Sequence, residues 1–499
     1  MVHRRQGDTG AKTQGRTSPD IEKKTDGIVG AFEELFTQAR PAFCQDRVAA
    51  RAHDMCVSSI LALGRHTISG MLCASGRQFQ DWSGAYRLFE QERIDTSALF
   101  APALAKVADM QPDDGYLFTM LDDTLIRKRG TSVSGTAWKR DPLGPVFHTN
   151  FVWGQRFMQL SAALPDPDGS GSARAIPIDL IHTPSPKKPK RSSAPEEWDE
   201  YRRAKEASKV STVAHDRLHL LRAQLPDKRI VCAVDGGYTN RTVFANIPDN
   251  TVLIGRIRKD ARLFGVPEHS DAPGRGRKRV YGEALPTPEQ IRQDDSIPWQ
   301  TVKAFAAGRH HDFDVKVIDP VRWRGSGSTD VMVVIVRPLG YRRSQNSRML
   351  YRQPAYLICT DPELPLEKLL QAYLWRWEIE LNFRDEKTVF GVGEAQVRTA
   401  AVVGSVPALI VASYAYLLLA GSSVSERTTE LPSPKWHRRK PHSRCSTQQM
   451  ISLFRSELWG LGIDSIYMRS LPSNDSTRTQ FNSQRLTNSL ESAVCYAIK

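Results

Sequence analysis

Tyr373-Leu374-Trp375-Arg376-Trp377-Glu378-Ile379-Glu380-Leu381-Asn382-Phe383-Arg384-Asp385-Glu386-Lys387 is the stretch from which the fold of this chain is read. It reads as one helix. At about 100° per residue, Tyr373, Arg376 and Lys387 fall at about +20°, −40° and −20° from Glu380, so the four share a face. By the same geometry Glu378, Asp385 and Glu386 fall at about 160°, 140° and −120° and point elsewhere. Glu380 alone is aimed with the cations. A carboxylate there suits a divalent metal, and Arg and Lys beside it suit phosphate, so the face fits phosphodiester chemistry. The same residues also suit a solvated charged helix edge, and the stretch by itself leaves both readings open.

Two apolar runs upstream end in acid. Gly115-Tyr116-Leu117-Phe118-Thr119-Met120-Leu121-Asp122-Asp123-Thr124 is apolar on both alternating faces, as a buried central strand should be. Period-two alternation separates Asp122 from Asp123 and places Asp122 with Thr124. Arg229-Ile230-Val231-Cys232-Ala233-Val234-Asp235-Gly236-Gly237-Tyr238 is a second short buried strand, with two glycines that free the backbone just past the acid. Singly, each aspartate also reads as a strand-terminal turn residue.

Taken with those strand-end acids, the spacing Tyr-x2-Arg-x3-Glu-x6-Lys resembles the signature of the IS-four superfamily of DDE transposases, in which the Glu is the third catalytic carboxylate. The resemblance implies an α/β fold, with an RNase H-like catalytic core that carries a β-rich insertion and follows an α-helical N-terminal domain. The family writes its first aspartate as Asp-x-Thr, which selects Asp122 ahead of Asp123, and Asp235 takes the second place. Asp122, Asp235 and Glu380 would then be catalytic and would hold two Mg2+ (or Mn2+) ions, since oxygen-only ligation suits those hard cations. Two ions about 4 Å apart need several carboxylates around them, one ion activating water and the other steadying the leaving 3′ oxygen. Tyr373, Arg376 and Lys387 would sit at DNA phosphate, Arg through a bidentate fork and Lys as a point charge. Tyr373 equally suits an aromatic covering the inner face of the helix.

The activity implied is metal-dependent cleavage at insertion-element ends followed by strand transfer into target DNA. The implied partners are double-stranded DNA (terminal inverted repeats and target) and a second copy in a homodimer, in the cytoplasm of a bacterial cell near its nucleoid. An RNase H-like nuclease or resolvase without strand transfer, and a catalytically idle DNA-binding derivative, are the alternatives. The signature spacing argues against the first and the intact acids against the second. Asp141-Pro142-Leu143-Gly144-Pro145 and Trp153-Gly154-Gln155-Arg156 resemble the wording of one bacterial branch.

Composition agrees. Lys and Arg number 69 against 55 Asp and Glu, a formal net charge of +14, which favours a polyanionic partner. The seven cysteines form no Cys-x2-Cys pair, so they read as reduced thiols and a zinc ribbon is not expected. Residues 399–423 lack charge and are long enough to raise a membrane span, but no pattern of flanking spans accompanies them. A buried helix against the catalytic sheet is the better reading, and no membrane partner is expected.

Along the chain, residues 1–26 read as a disordered basic tail and 27–112 as a helical domain, a candidate for end recognition although no helix-turn-helix spacing is clear. Residues 113–258 read as the first part of the core, with strands at 115–124, 147–153 and 156–163, a helix at 196–225, and strands at 230–235 and 251–257. Between them, Pro184-Ser185-Pro186-Lys187-Lys188-Pro189-Lys190-Arg191 reads as an exposed loop. Residues 259–350 read as the β-rich insertion, with strand-like runs at 315–318 and 331–336 and a further run at 355–359. Arg256, Arg258 and Lys259 precede it, and Arg275, Arg277, Lys278 and Arg279 form a glycine-spaced basic cluster suited to tracking phosphates. Trp299 and Trp323 also lie there, and adjacent His310 and His311 point apart, against a metal pair. Residues 351–422 read as the second part of the core. Residues 423–499 read as a polar tail, with Lys435-Trp436-His437-Arg438-Arg439-Lys440 and an amphipathic segment at 450–458 as candidates for dimer contacts.

Overall fold

The computed structural model describes residues 27–79, 82–90, 92–112, 115–141, 144, 147–267, 279–342, 347–424 and 444–469, the side chains of 341 and 460–469 excepted. The 1–26 tail, Arg275, Arg277, Lys278 and the basic run at 435–440 lie outside the described residues.

Helices come first: α1 (Ile28–Gln38), α2 (Asp46–Leu61), α3 (Ile68–Ala74), α4 (Ser83–Glu90) and α5 (Ala101–Asp109). Then follow β1 (Tyr116–Arg127), β2 (Ala137–Arg140), β3 (Phe151–Pro165), β4 (Ala173–Thr183), α6 (Pro195–Ala207), α7 (Val210–Gln224), β5 (Arg229–Val234), α8 (Arg241–Phe244) and β6 (Thr251–Arg256). A strand-rich segment comes next, with β7 (Leu263–Phe264), β8 (Ala284–Leu285), α9 (Pro288–Gln293), β9 (Gln300–Ala306), β10 (Arg309–Trp323), β11 (Asp330–Val336), β12 (Gly340–Tyr341), β13 (Leu350–Tyr351) and β14 (Ala355–Cys359). The chain returns to helix in α10 (Leu366–Trp375), α11 (Glu378–Thr388), α12 (Ala400–Val424) and α13 (Thr447–Arg469).

The architecture is mixed α/β around one large mixed sheet, ordered β2-β3-β1-β5-β6-β14-β11-β10-β7-β8, with β4 paired to β3 and β9 to β10. β1 runs antiparallel to β3 and parallel to β5, and β5 runs parallel to β6. β1 is central because it is apolar on both faces. Leu117 and Leu121 join the core under α7 and α12, and Phe118 and Met120 join the opposite core under α10 and α11.

Several expectations need correcting. The runs at 147–153 and 156–163 are one strand, β3, and the third strand is β4, which was not anticipated. Pro177 breaks the strand pattern of β4, since proline cannot donate to a ladder. The sheet absorbs it where the β3–β4 register shifts between Leu160 and Ser161, so Pro177 falls at an irregularity. The helix expected at 196–225 is two helices, parted at Ser208, whose hydroxyl donates to Lys205 O. The strand-rich segment is indeed rich in strands and continues the same sheet: β14 pairs antiparallel with β6, β11 with β14 and β10 with β11, so it prolongs the sheet beyond β6.

The uncharged α12 is the core helix of the molecule. It is long and apolar enough to cross a membrane, yet 89% of its most apolar window is buried within the chain. Tyr416 donates its hydroxyl to Leu99 O, Ser413 bonds Cys56 O, and Phe32 of α1 meets Tyr416 edge-on at 6.0 Å. The N-terminal helices therefore share one continuous core with α12 and the sheet. In α13, Met450, Ile451 and Phe454 are buried in the same core, and Glu457 accepts from Ile28 N and Val29 N at the start of α1. That apolar face of the 450–458 segment is spent within the chain.

Candidate active site

Three elements converge at one end of the β1–β5 pair. Asp122 lies on the same face of β1 as Phe118 and Met120, the face covered by α10 and α11. Asp235 follows the last residue of β5, at the start of a tight turn closed by Tyr238 N on Asp235 O at 3.0 Å. Neither Gly236 nor Gly237 takes a positive φ, so the turn does not draw on glycine's conformational freedom. A Cβ at Gly236 would stand 3.4 Å from Arg256 O, an ordinary van der Waals contact.

The stretch from Tyr373 to Lys387 is not one uninterrupted helix. It tightens at Arg376 and Trp377, where Trp377 N bonds Leu374 O at 3.3 Å and Glu380 N bonds Trp377 O at 3.1 Å. Trp375 turns inward, its Nε1 donating to Gly171 O at 3.0 Å and its ring edge-on to Phe118 at 5.5 Å. Arg376 is thereby turned toward the acids. Its guanidinium lies 3.5 Å from the Asp122 carboxylate and 3.8 Å from that of Glu380, with its Nε unpartnered. Tyr373 packs its ring 5.8 Å from the same guanidinium.

Burial pushes the Asp122 carboxyl up to about 7, and the nearby charges of Asp123 and Asp235 push the same way against the Asp123 N–H and Arg376. Glu380 is shifted upward too, chiefly by burial, with Arg376 opposing and Asp235 assisting. Burial also raises the Tyr373 phenol, while Arg376 and Arg256 oppose the rise. Arg256, grouped above with the basic residues that precede the insertion, thus belongs beside this site. The signal was present in the sequence, since it closes the strand next to the one that leads to Asp235.

Asp123 has a different environment. It accepts from the Tyr238 hydroxyl and pairs with Arg156 Nε at 3.1 Å. Burial, then the Asp123 charge, raises the Tyr238 phenol well above its ordinary value, so it stays a donor. Lys387 stands two turns beyond Glu380 and away from the acids: its ammonium is 5.9 Å from the Phe383 ring, and its charged neighbours are Glu386 and Arg127. The structure thus brings Asp122, Asp235, Glu380, Arg376 and Tyr373 together and sets Lys387 apart. Arg279 is exposed. Trp299 lies under Lys316 at 4.7 Å, and Trp323 meets Phe244 edge-on at 5.9 Å, so both are engaged by the fold.

Among the described residues no three carboxylate, imidazole or thiol groups are drawn in tightly enough to cage an ion. Arg376 stands between two of the acids, 3.5 Å from Asp122 and 3.8 Å from Glu380. The donor set nonetheless fits a hard divalent cation, being all oxygen. Asp122, Asp235 and Glu380 are the groups that would hold it.

The family described as DDE superfamily endonuclease matches residues 40–329, more than half of the chain. The matched span contains Asp122 and Asp235 and stops before α10. No curated protein matches the chain.

Proposed function

The chain belongs to the DDE superfamily endonuclease family, and from that membership we propose that it is a transposase of the IS-four type, cleaving DNA at the ends of an insertion element and joining the freed 3′ hydroxyl to target DNA. The family itself implies an enzyme of the nuclease and transposase kind, acting on DNA with divalent metal. The observation that carries the finer reading is the convergence of Asp122, Asp235 and Glu380 from β1, β5 and α11 around the Arg376 guanidinium. The strand order β4-β3-β1-β5-β6, with β3 alone antiparallel to both its long neighbours, supports an RNase H-like core.

In this reading, two magnesium or manganese ions supply a Lewis acid and an activated water when bound. The three acids would hold them. Arg376 balances the acids' charge and presents the rest of its fork to a DNA phosphate, with Tyr373 packed on the same guanidinium. Lys387, two turns away, meets the backbone further along the duplex as a point charge. Terminal inverted repeats and target DNA are the proposed substrates, in a homodimeric complex inside a bacterial cell. The helices before β1, Arg279 and the basic cluster to which it belongs are the proposed additional DNA contacts.

The test is incubation of purified protein with a DNA carrying the element's ends and an unlabelled target plasmid, with Mg2+, with Mn2+ and without metal. Metal-dependent nicking at the ends and a joined product are expected. Nicking without joining would make it a nuclease on the same fold, and no nicking in either metal would overturn the reading.

A further inference from the structure

Trp153-Gly154-Gln155-Arg156 lies near the start of β3, where β2 pairs with it as the edge of the sheet. The register sets Trp138 opposite Trp153 and Arg140 opposite Phe151, so these four side chains share one face. That face is open to solvent: Trp138 is 66% exposed, Phe151 is 61% exposed, and Arg140 is exposed as well. Phe147, between the two strands, is 94% exposed. The tryptophans are nonetheless held in place. Trp138 meets Trp153 edge-on at 5.6 Å, and Trp153 Nε1 donates to Gly130 O at 3.0 Å. Rings fixed by the fold and left in water make the kind of apolar patch that marks an interaction surface.

Charge selects the partner. Residues 127–153 carry Arg127, Lys128, Arg129, Lys139 and Arg140 against a single acid, Asp141, which pairs with Arg127 at 2.9 Å. Two copies of such a surface would repel, whereas a polyanion is attracted. A paired duplex keeps its base faces inside its own stack, and only unpaired bases offer phosphate and flat apolar faces together. Position agrees. Trp153 stands six residues before Gln159, the cross-strand partner of Asp122, so the aromatic face and Asp122 lie on one side of the sheet, about 20 Å apart. β1 pairs with β5 only as far as Leu121 and runs on to Arg127, so the hairpin projects past the end of the sheet at which Asp235 stands. Arg127 is also a charged neighbour of Lys387, which continues the basic side of α11 onto the hairpin.

We propose that the β2–β3 hairpin is a stacking platform for unpaired DNA bases, with Trp138 and Phe151 receiving base faces and Arg140 beside them a phosphate, and that it holds a strand opened near the phosphate bound at the acids. The proposal rests on the DNA-cleaving reading of those acids for its place in the reaction. Its chemistry needs only the hairpin: aromatic rings accept any base, because every base has a π-face, and the cations track the backbone without reading sequence.

The test measures binding of the full-length protein without metal, so that no cleavage enters the readout. Two duplexes of equal length are compared by fluorescence anisotropy, one fully paired and one with a central run of opposed thymines. Wild type should bind the mismatched duplex about tenfold tighter or more, since a base stacked on an aromatic ring contributes on the order of tenfold in affinity. Trp138→Ala and Phe151→Ala should each lose most of that preference with melting temperature little changed, both rings being exposed. Trp138→Phe keeps a ring face and should keep the preference. Arg140→Ala should weaken both duplexes alike and lower the slope of log K against log salt by about one. A 2-aminopurine placed in the mismatched run should be quenched by wild type and by Trp138→Phe, and not by Trp138→Ala.

Equal wild-type affinity for the two duplexes, or a preference left intact in both alanine variants, would overturn the proposal. So would a Trp138→Ala/Phe151→Ala double variant that loses self-association in sedimentation while its duplex preference persists, since the face would then be a contact between copies of this chain. A wild type that shows the preference, loses it in Trp138→Ala and yet never nicks DNA with Mg2+ or Mn2+ would overturn the transposase reading and leave the stacking platform standing.

Discussion

The Tyr238 hydroxyl donates to Asp123, and this bond ties the turn that follows Asp235 to the strand that carries Asp122. Alternation along β1 sends Asp122 toward Arg376 and Asp123 toward Tyr238 and Arg156. The adjacent acids therefore divide the work: one faces the candidate site and the other fastens the two strands behind it.

Asp123→Asn should accordingly keep appreciable cleavage while melting lower, and Asp122→Asn should fall to background. Tyr238→Phe leaves a carboxylate oxygen without its donor, and its expected cost is about 1–3 kcal/mol of stability in urea unfolding. Background cleavage in Asp123→Asn with full cleavage in Asp122→Asn would transfer the role to Asp123.

Alanine at Asp122, Asp235 or Glu380 should abolish Mg2+-dependent nicking and leave end binding in a mobility-shift assay within a few-fold of wild type, because each removes charge from a metal-holding set and not from a DNA contact. Asp235 is exposed and its charge opposes ionisation of both other acids. Asp235→Asn should therefore melt no lower than wild type in the absence of metal. A wild-type nicking rate in any one folded variant would reject that residue's assignment.

Protons and metal compete at Asp122. Its folded pKa of about 7 lies above its ordinary value of 3.8, so from about pH 4 to 7 the native state holds a proton that the unfolded state has lost. Metal-free stability from this group thus declines as pH rises across that window and levels off above it. A divalent ion must displace that proton, so Mn2+ affinity should climb from pH 5 to 7 and flatten beyond, with close to one proton released per protein in calorimetry in two buffers of different ionisation enthalpy. Equal Mn2+ affinity at pH 5.5 and 7.5 would exclude Asp122 as a ligand.

The core strands and α12 were legible because their signals are local: unbroken apolar runs, uncharged helix, acid at the strand end. β4 was not, since Pro177 and the buried Arg174 and Asp179 disguise a strand whose irregular pairing only the fold supplies. Arg174 reaches Cys445 O, and Asp179 forms a salt bridge with Arg217 of α7. The site was legible in its acids, which follow periodicity. Arg256 was only partly legible: it closes the strand that follows the Asp235 strand, but its place beside Tyr373 comes from the β5–β6 pairing. The helical wheel placed Lys387 beside Glu380 in projection, but two turns along the axis part them by about 10 Å.

The interior location of α12 carries its own consequence. Leu417 is fully buried between the N-terminal helices and the sheet, so Leu417→Ala should cost about 2–5 kcal/mol in urea unfolding. A change below about 0.5 kcal/mol would mean that α12 is not packed in this core in solution.

Lys387 and Arg376 stand in different surroundings, and their substitutions should behave differently. Lys387 lies along Phe383 with its ammonium away from the three acids, so Lys387→Ala should weaken binding to cleaved ends and lower the slope of log K against log salt by about one, the loss of a single phosphate contact. Arg376 spans Asp122 and Glu380 with one planar fork, and a lysine ammonium cannot meet two carboxylates and a phosphate with the same geometry. Arg376→Lys should therefore lose cleavage even where the salt slope is nearly kept. If both variants bind ends with unchanged affinity and slope but melt markedly lower, the two cations serve the fold alone, and the phosphate reading of both fails.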